Sequence, residues 1–136
     1  MKKEQKIQGS FPHIFEHYQA MPACYQFEKM PIEKLSEEIS RQYIYASQSM
    51  LVKWIFKTGA HIPLHHHLSE QITWIIEGKV KVYSQGKEFI IAAGEVIVPP
   101  HVPHEFFALE DTIDIDVLAP VREDWINQLD HFYKKS

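Results

Sequence analysis

Residues 59–78 read Gly59-Ala60-His61-Ile62-Pro63-Leu64-His65-His66-His67-Leu68-Ser69-Glu70-Gln71-Ile72-Thr73-Trp74-Ile75-Ile76-Glu77-Gly78. His65, His67 and Gln71 crowd three potential metal donors into seven positions, and His104 follows after further strand-like runs. Neutral imidazoles bind Zn, Ni, Cu, Mn or Fe(II) readily. Two histidines placed two apart on one strand project from the same face, with His66 turned to the other. Read alone, the three histidines could equally be a solvated polar turn. Three flanking features weigh against that: Gly59 opens the run, Gly78 ends the next strand, and Pro99-Pro100-His101-Val102-Pro103-His104 closes a later strand on another histidine. A metal held inside a β-barrel accounts for all of them.

On either side of this stretch the apolar period is two. Gln42–Ala46, Met50–Lys57, Gln71–Ile76, Lys79–Tyr83, Glu88–Ala92, Glu95–Val98, His104–Leu109 and Thr112–Ala119 all alternate as strands do. Glu77-Gly78, Gln85-Gly86 and Ala93-Gly94 supply turns. Short strands at this spacing predict an all-β sandwich or barrel and exclude a βαβ arrangement. Residues 1–30 read as a polar tail and a short helix, with Phe11, Ile14, Phe15 and Tyr18 on one helical face. Residues 31–120 form the barrel. Residues 121–136 form a C-terminal helix with Trp125, Ile126, Leu129 and Phe132 on one face, acids at its start and lysines at its end.

A chain of 136 residues is one domain by prior, with room for a real core. A formal charge of -4 argues against nonspecific nucleic-acid or anionic-membrane binding. Cys24 stands alone, so no intrachain disulfide forms. The basic start has no apolar run behind it, and no stretch spans a bilayer, so the expected location is cytoplasmic.

The spacing Gly59-x5-His65-x-His67-x3-Gln71-x6-Gly78, followed by Gly94-x4-Pro99-x4-His104, resembles the two sequence boxes of the cupins. These are double-stranded β-helix, or jelly-roll, barrels with a metal in the lumen. Gln71 stands where many cupins have glutamate, His101 where glycine is common and Ala108 where asparagine is common. His101 reads as a turn residue. A narrower resemblance rests on Glu70–Gly78 and on Asp116-Val117-Leu118-Ala119-Pro120-Val121-Arg122-Glu123-Asp124-Trp125. Both stretches are similar to the pectin-degradation cupins that open 4,5-unsaturated uronate monosaccharides to linear 5-keto-4-deoxyuronate.

That resemblance implies one divalent transition metal (Ni, Zn, Mn or Fe) on His65, His67, Gln71 and His104. It implies catalytic roles for Asp116, moving a proton, and Arg122, orienting a substrate carboxylate. Leu118, usually phenylalanine in that family, and Arg41 are expected in the substrate pocket. Tyr43 and His61 are further lumen candidates, with structural or exposed roles as the alternative. A small acidic sugar is the implied substrate and a homodimer the implied assembly, with the Phe11–Tyr18 stripe as a possible contact.

The residues themselves speak to Asp116. In Thr112–Leu118 the side chains of Asp114, Asp116 and Leu118 share one face and those of Ile113, Ile115 and Val117 the other. If the acidic face is the lumen, Asp116 needs a cation, a metal or a substrate to tolerate burial. The alternative is an edge strand with a solvated acidic face. Arg122 is either a bidentate clamp for a carboxylate or a first-turn residue paired to Glu123 or Asp124. Trp74 has the opposite strand parity to Gln71 and is expected outside the lumen. An Fe(II) cupin dioxygenase and a non-catalytic cupin that binds a small acid are the competing functions.

Overall fold

The computed structural model describes residues 22–65, 69–99 and 103–126, without the side chains of Leu64 and His65. Ten strands carry the fold: β1 Glu33–Lys34, β2 Ile39–Tyr45, β3 Met50–Phe56, β4 His61–His65, β5 Glu70–Glu77, β6 Lys79–Ser84, β7 Lys87–Ala92, β8 Val96–Ile97, β9 His104–Ala108 and β10 Thr112–Ala119. They form two antiparallel sheets, one in the order β1-β2-β3-β10-β5-β8 and one in the order β4-β9-β6-β7. This is the all-β architecture predicted from the alternation, in the jelly-roll form that the resemblance implied.

Burial follows the parity of each strand. In β3, Met50, Val52, Trp54 and Phe56 are buried while Leu51, Lys53 and Ile55 face out; in β10, Thr112, Asp114, Asp116 and Leu118 are buried between more open isoleucines and Val117. The inward side chains of both sheets, among them Val52, Ile75, Val80, Val82 and Phe106, make one core cluster. Gly78 turns the chain from β5 in the first sheet into β6 in the second at φ 92°. A Cβ there would collide with the backbone oxygen of Asp111 and approach the Cα of Thr112 to 2.8 Å, so only glycine fits.

Two differences from the sequence expectation concern the ends and the histidines. The helical structure described is a 3-10 turn at Phe27–Lys29 and a single α-helical turn, α1, at Glu123–Ile126. The expected helix over Phe11–Tyr18 lies outside the described residues, as do Leu129 and Phe132. β4 is a strand the alternation did not single out, and its described residues are His61–His65. Pro63 explains the first point, because proline weakens a strand reading and is confined to edges, and β4 is an edge of its sheet.

Candidate metal and acid site in the barrel

β10 is the central wall of the site. It is paired on one side to β3, with Asp114 opposite Trp54 and Asp116 opposite Val52. On the other side it is paired to β5, with Asp116 opposite Thr73 and Leu118 opposite Gln71. Direct partners on neighbouring strands point to the same face, so these side chains meet in the lumen. The second sheet contributes Ile62, His104 and Phe106, and the segment after β10 adds Arg122 and Trp125. Together they line one recess with a cavity volume of ≈ 30 Å³.

Asp116 is almost fully buried, and its Oδ2 accepts hydrogen bonds from Trp54 Nε1 at 3.1 Å and from Gln71 Nε2 at 3.3 Å. Gln71 Nε2 also donates to Thr73 Oγ1 at 2.8 Å. With its nitrogen turned to Asp116, the Gln71 amide presents its oxygen away from the carboxylate, and that oxygen is the atom a metal would take. Asp114 lies beside Asp116, also buried; Oδ1 of each acid has no hydrogen-bond partner among the described residues. Burial, then the neighbouring Asp116 charge, pushes the Asp114 carboxyl well above the usual carboxylate range. Burial also raises Asp116, against the opposing effect of hydrogen bonds from Asp114, Thr73 and Trp54. Burial and the neighbouring charge both favour the protonated form of Asp114, whereas the hydrogen bonds to Asp116 favour its ionised form.

Five residues expected at the site from sequence, Gln71, His104, Asp116, Leu118 and Arg122, line this one recess. His65 is the register partner of His104 across the β4–β9 pair, which brings the two backbones together at the rim. His67, and with it His66 and His101, lies outside the described residues. Arg41 is a correction. It is fully buried, but its Nε is bound to Glu33 Oε1 at 2.7 Å and its guanidinium sits 4.1 Å from the Trp125 ring centre, so it packs behind the lining rather than in it. His61 is exposed, stacked on Phe107 and bonded to Glu105, away from the lumen. Tyr43 packs on Trp125 at 5.5 Å and is likewise not part of the lining. Trp74 faces out, 49% exposed.

Arg122 follows the second of its sequence readings, paired to Asp124, and also reaches the recess. Its Nε and Nη2 bind the two oxygens of Asp124 at 2.8 and 2.6 Å, and it lies 5.0 Å from the Trp125 ring centre, yet it also lines the recess. Partial burial alone would raise the Asp124 carboxyl, but the hydrogen bonds and charge of that guanidinium outweigh it and hold the group below its usual value.

Among the lining residues that the sequence did not assign to the site, Asp114 and Trp54 are the two that interact with Asp116. Both signals were present: Asp114 shares the Asp116 face, and outward-facing Lys53 in β3 assigns Trp54 inward.

Among the described residues no three His, Cys, Asp or Glu side chains converge as a metal cluster. The expected donors whose side chains are described nonetheless fit one. Gln71 and His104 are both buried and share the recess with two buried acids, each with an unpartnered oxygen, a surplus of acceptors that a cation would balance. The His65 backbone lies opposite His104, so His65 would join the set.

The comparisons with known proteins agree with this architecture. The family model described as "Cupin domain" matches residues 52–119. The structure of KdgF from Halomonas sp. superposes with a TM-score of 0.70 at 26% identity, over 76% of this chain and 99% of that one. An RmlC-like cupin from Shewanella frigidimarina NCIMB 400 gives a TM-score of 0.70 at 31% identity, over 77% of this chain and 96% of that one. Oxalate decarboxylase from Bacillus subtilis, described for its Mn(II) centres, shares the fold at 21% identity and a TM-score of 0.62, over 74% of this chain and 30% of that one. No curated protein matches the sequence. The matched stretch runs from the second inward residue of β3 to the end of β10, taking in both walls of the recess, and with it this chain belongs to the cupin family.

Proposed function

We propose that this cupin is a metal-dependent sugar-acid isomerase that converts 4,5-unsaturated uronate monosaccharides to linear 5-keto-4-deoxyuronate. The observation that carries the reading is the meeting, in one recess, of a buried carboxyl, Asp116, with Gln71 and His104 on one side and the Arg122 guanidinium at the same lining. The sequence resemblance to pectin-degradation cupins and the likeness to KdgF support it.

The reaction is an isomerisation. The ring C1–O5 bond breaks, the anomeric hydroxyl gives up its proton as C1 becomes an aldehyde, and C4 gains a proton as the enol at C5 becomes a ketone. A divalent metal on His65, His67, Gln71 and His104 supplies Lewis-acid stabilisation of charge on the substrate oxygens. Asp116 takes and returns the proton from a fixed position, held by Trp54 Nε1 and the Gln71 amide. Arg122 binds the substrate carboxylate through Nη1, because Asp124 occupies Nε and Nη2 and fixes the plane of the guanidinium. Leu118, almost fully buried, shapes the wall between Gln71 and Asp116.

Incubating metal-loaded protein with unsaturated galacturonate and following the ultraviolet absorbance of the C4–C5 double bond tests the reading. Metal-dependent loss of that absorbance is expected. Unchanged absorbance in protein carrying stoichiometric metal refutes it; oxygen uptake with Fe(II) would instead indicate a dioxygenase, and binding without turnover a non-catalytic acid-binding cupin.

A further inference from the structure

The outer face of the six-stranded sheet is apolar across four strands. Leu51 of β3, Val117 of β10 and Ile72 of β5 form one row by register, and Ile115, Trp74 and Val96 form the next. Five of these six side chains are among the exposed large hydrophobics, with only Ile115 half-buried. A continuous apolar sheet face of this kind marks an interaction surface.

The charges around it are unmatched and lie on opposite flanks. Lys53 of β3 extends the second row beyond Ile115. Glu70 and Glu77 stand at the two ends of β5, opposite Ala119 and Ile113 of the outward set of β10. Among the described residues no ion pair engages Lys53, Glu70 or Glu77. β10 divides the face, with the cation on its β3 side and the acids on its β5 side.

We propose that a second copy of the chain covers this face, packed sheet on sheet about a two-fold axis that runs along β10. A symmetric contact of this kind sets each residue i against j and each j against i. Rotation about that axis lays the β3 flank of one protomer on the β5 flank of its partner. Leu51 then meets the partner's Ile72 in the first row. In the second row the Lys53 ammonium lies over the partner's Trp74 ring, a cation–π geometry, one row from the partner's Glu77. A two-fold across the strands would instead set β3 on β3 and keep the cations apart from the acids.

The area suits such a pair. With strands ~4.8 Å and same-face rows ~7 Å apart, the two rows and their margins cover roughly 300 Å². Two copies thus bring together ~600 Å² of apolar surface, and at about 60% apolar the whole contact is near 1,000 Å², where specific association begins. The dimer is therefore one that dilution can dissociate. These side chains point away from the lumen, so the pairing is independent of the reaction proposed above.

Sedimentation equilibrium of the full chain across a dilution series reads the pairing, and four variants locate it. Trp74→Lys sets two ammonium groups against each other at both symmetric positions, and Leu51→Lys sets a charge on the partner's Ile72. Each should raise the dissociation constant roughly 30-fold or more, the scale for a central interface residue. Lys53→Glu/Trp74→Lys restores opposite charges and should recover part of that loss. Ile90→Lys, at an exposed position on β7 of the other sheet, should leave the dimer unchanged. A parent that is monomeric at every concentration overturns the proposal, as does a dimer that Trp74→Lys and Leu51→Lys leave intact or that Ile90→Lys disrupts. A double variant no tighter than Trp74→Lys overturns the axis along β10. Unchanged far-ultraviolet spectra verify that each variant barrel is intact.

Discussion

Replacing Gln71 by glutamate should convert a hydrogen-bond donor into a third acid in a pocket that already buries Asp114 and Asp116. In the parent, Gln71 Nε2 donates to Asp116 Oδ2 at 3.3 Å. Two ionised carboxylates at that separation would repel by roughly 5 kcal/mol at an effective dielectric of 20. Protonating a glutamate at pH 7 costs about 1.4 kcal/mol for each unit above its ordinary value, roughly 4 kcal/mol in all. Proton uptake is the cheaper route, so the variant folds with the introduced carboxyl neutral and its hydroxyl donating to Asp116 as the amide did. One donor is still lost, because the amide also serves Thr73 Oγ1 at 2.8 Å, for about 1 kcal/mol more. The sign follows from proton counts. The folded variant binds a proton that the unfolded chain releases above about pH 4.3, so its stability relative to the parent falls as pH rises, by ~1.4 kcal/mol per unit. Urea unfolding of chelator-treated protein should therefore show a deficit of roughly 4 to 5 kcal/mol at pH 7 that shrinks to about 1 kcal/mol near pH 4. Adding Zn(II) or Ni(II) should recover much of the loss, since an anionic ligand suits a divalent ion. A deficit that does not change with pH in the metal-free protein would refute the contact between Gln71 and Asp116, and with it the orientation assigned to the amide.

Other substitutions separate the remaining roles. His65→Ala or His104→Ala should remove stoichiometric metal while the barrel stays folded, as read by elemental analysis beside circular dichroism; retention of metal in both would sink the ligand assignment. Asp116→Asn should keep the metal and lose turnover by about 100-fold or more, the scale of a lost general acid-base group, whereas Arg122→Ala should act mainly on KM for acidic sugars. Asp114, raised by burial and by Asp116, stabilises the fold only while protonated, and that contribution fades as pH climbs from the unfolded value through the folded one. Asp114→Asn should then gain stability over the parent progressively as pH rises above about 4, the ordinary carboxyl value, in metal-free protein, and a difference that does not grow with pH would contradict it. Gly78→Ala should cost about 2 to 4 kcal/mol in urea unfolding, from collision with the Asp111 and Thr112 backbone as well as positive φ. Gly94→Ala, with positive φ but open space, should cost only about 1 kcal/mol.

The barrel was legible because its strands alternate without ambiguity where one face is buried. The turns at Gly78, Gly86 and Gly94 all fall between strands, each glycine at positive φ. β4 escaped because Pro63 breaks its strand signature, and an edge strand with one proline is invisible to alternation. Arg41 shows a different limit. Its inward parity was readable, but its partner Glu33 sits on β1, a two-residue strand whose pairing register no periodicity reveals. The carboxylate face of β10 could not be chosen from sequence alone, since a solvated acidic edge has the same pattern. The structure decides it by placing β10 between two partners, where no face-to-solvent edge exists.

That central position of β10 has a consequence for how the protein is made. β3 and β5 leave the ribosome early, yet each keeps one edge unpaired until residues 112–119 follow, about sixty positions after β3. Until then the nascent chain holds two bare strand edges, templates for pairing with the wrong molecule. Closing so long a loop before any contact rewards it makes the insertion of β10 a slow, late event. The strand that arrives last also brings Asp114, Asp116 and Leu118, so a partly synthesised or truncated chain has no acid pair with which to balance a cation. The chemistry and the completed sheet become available in the same step.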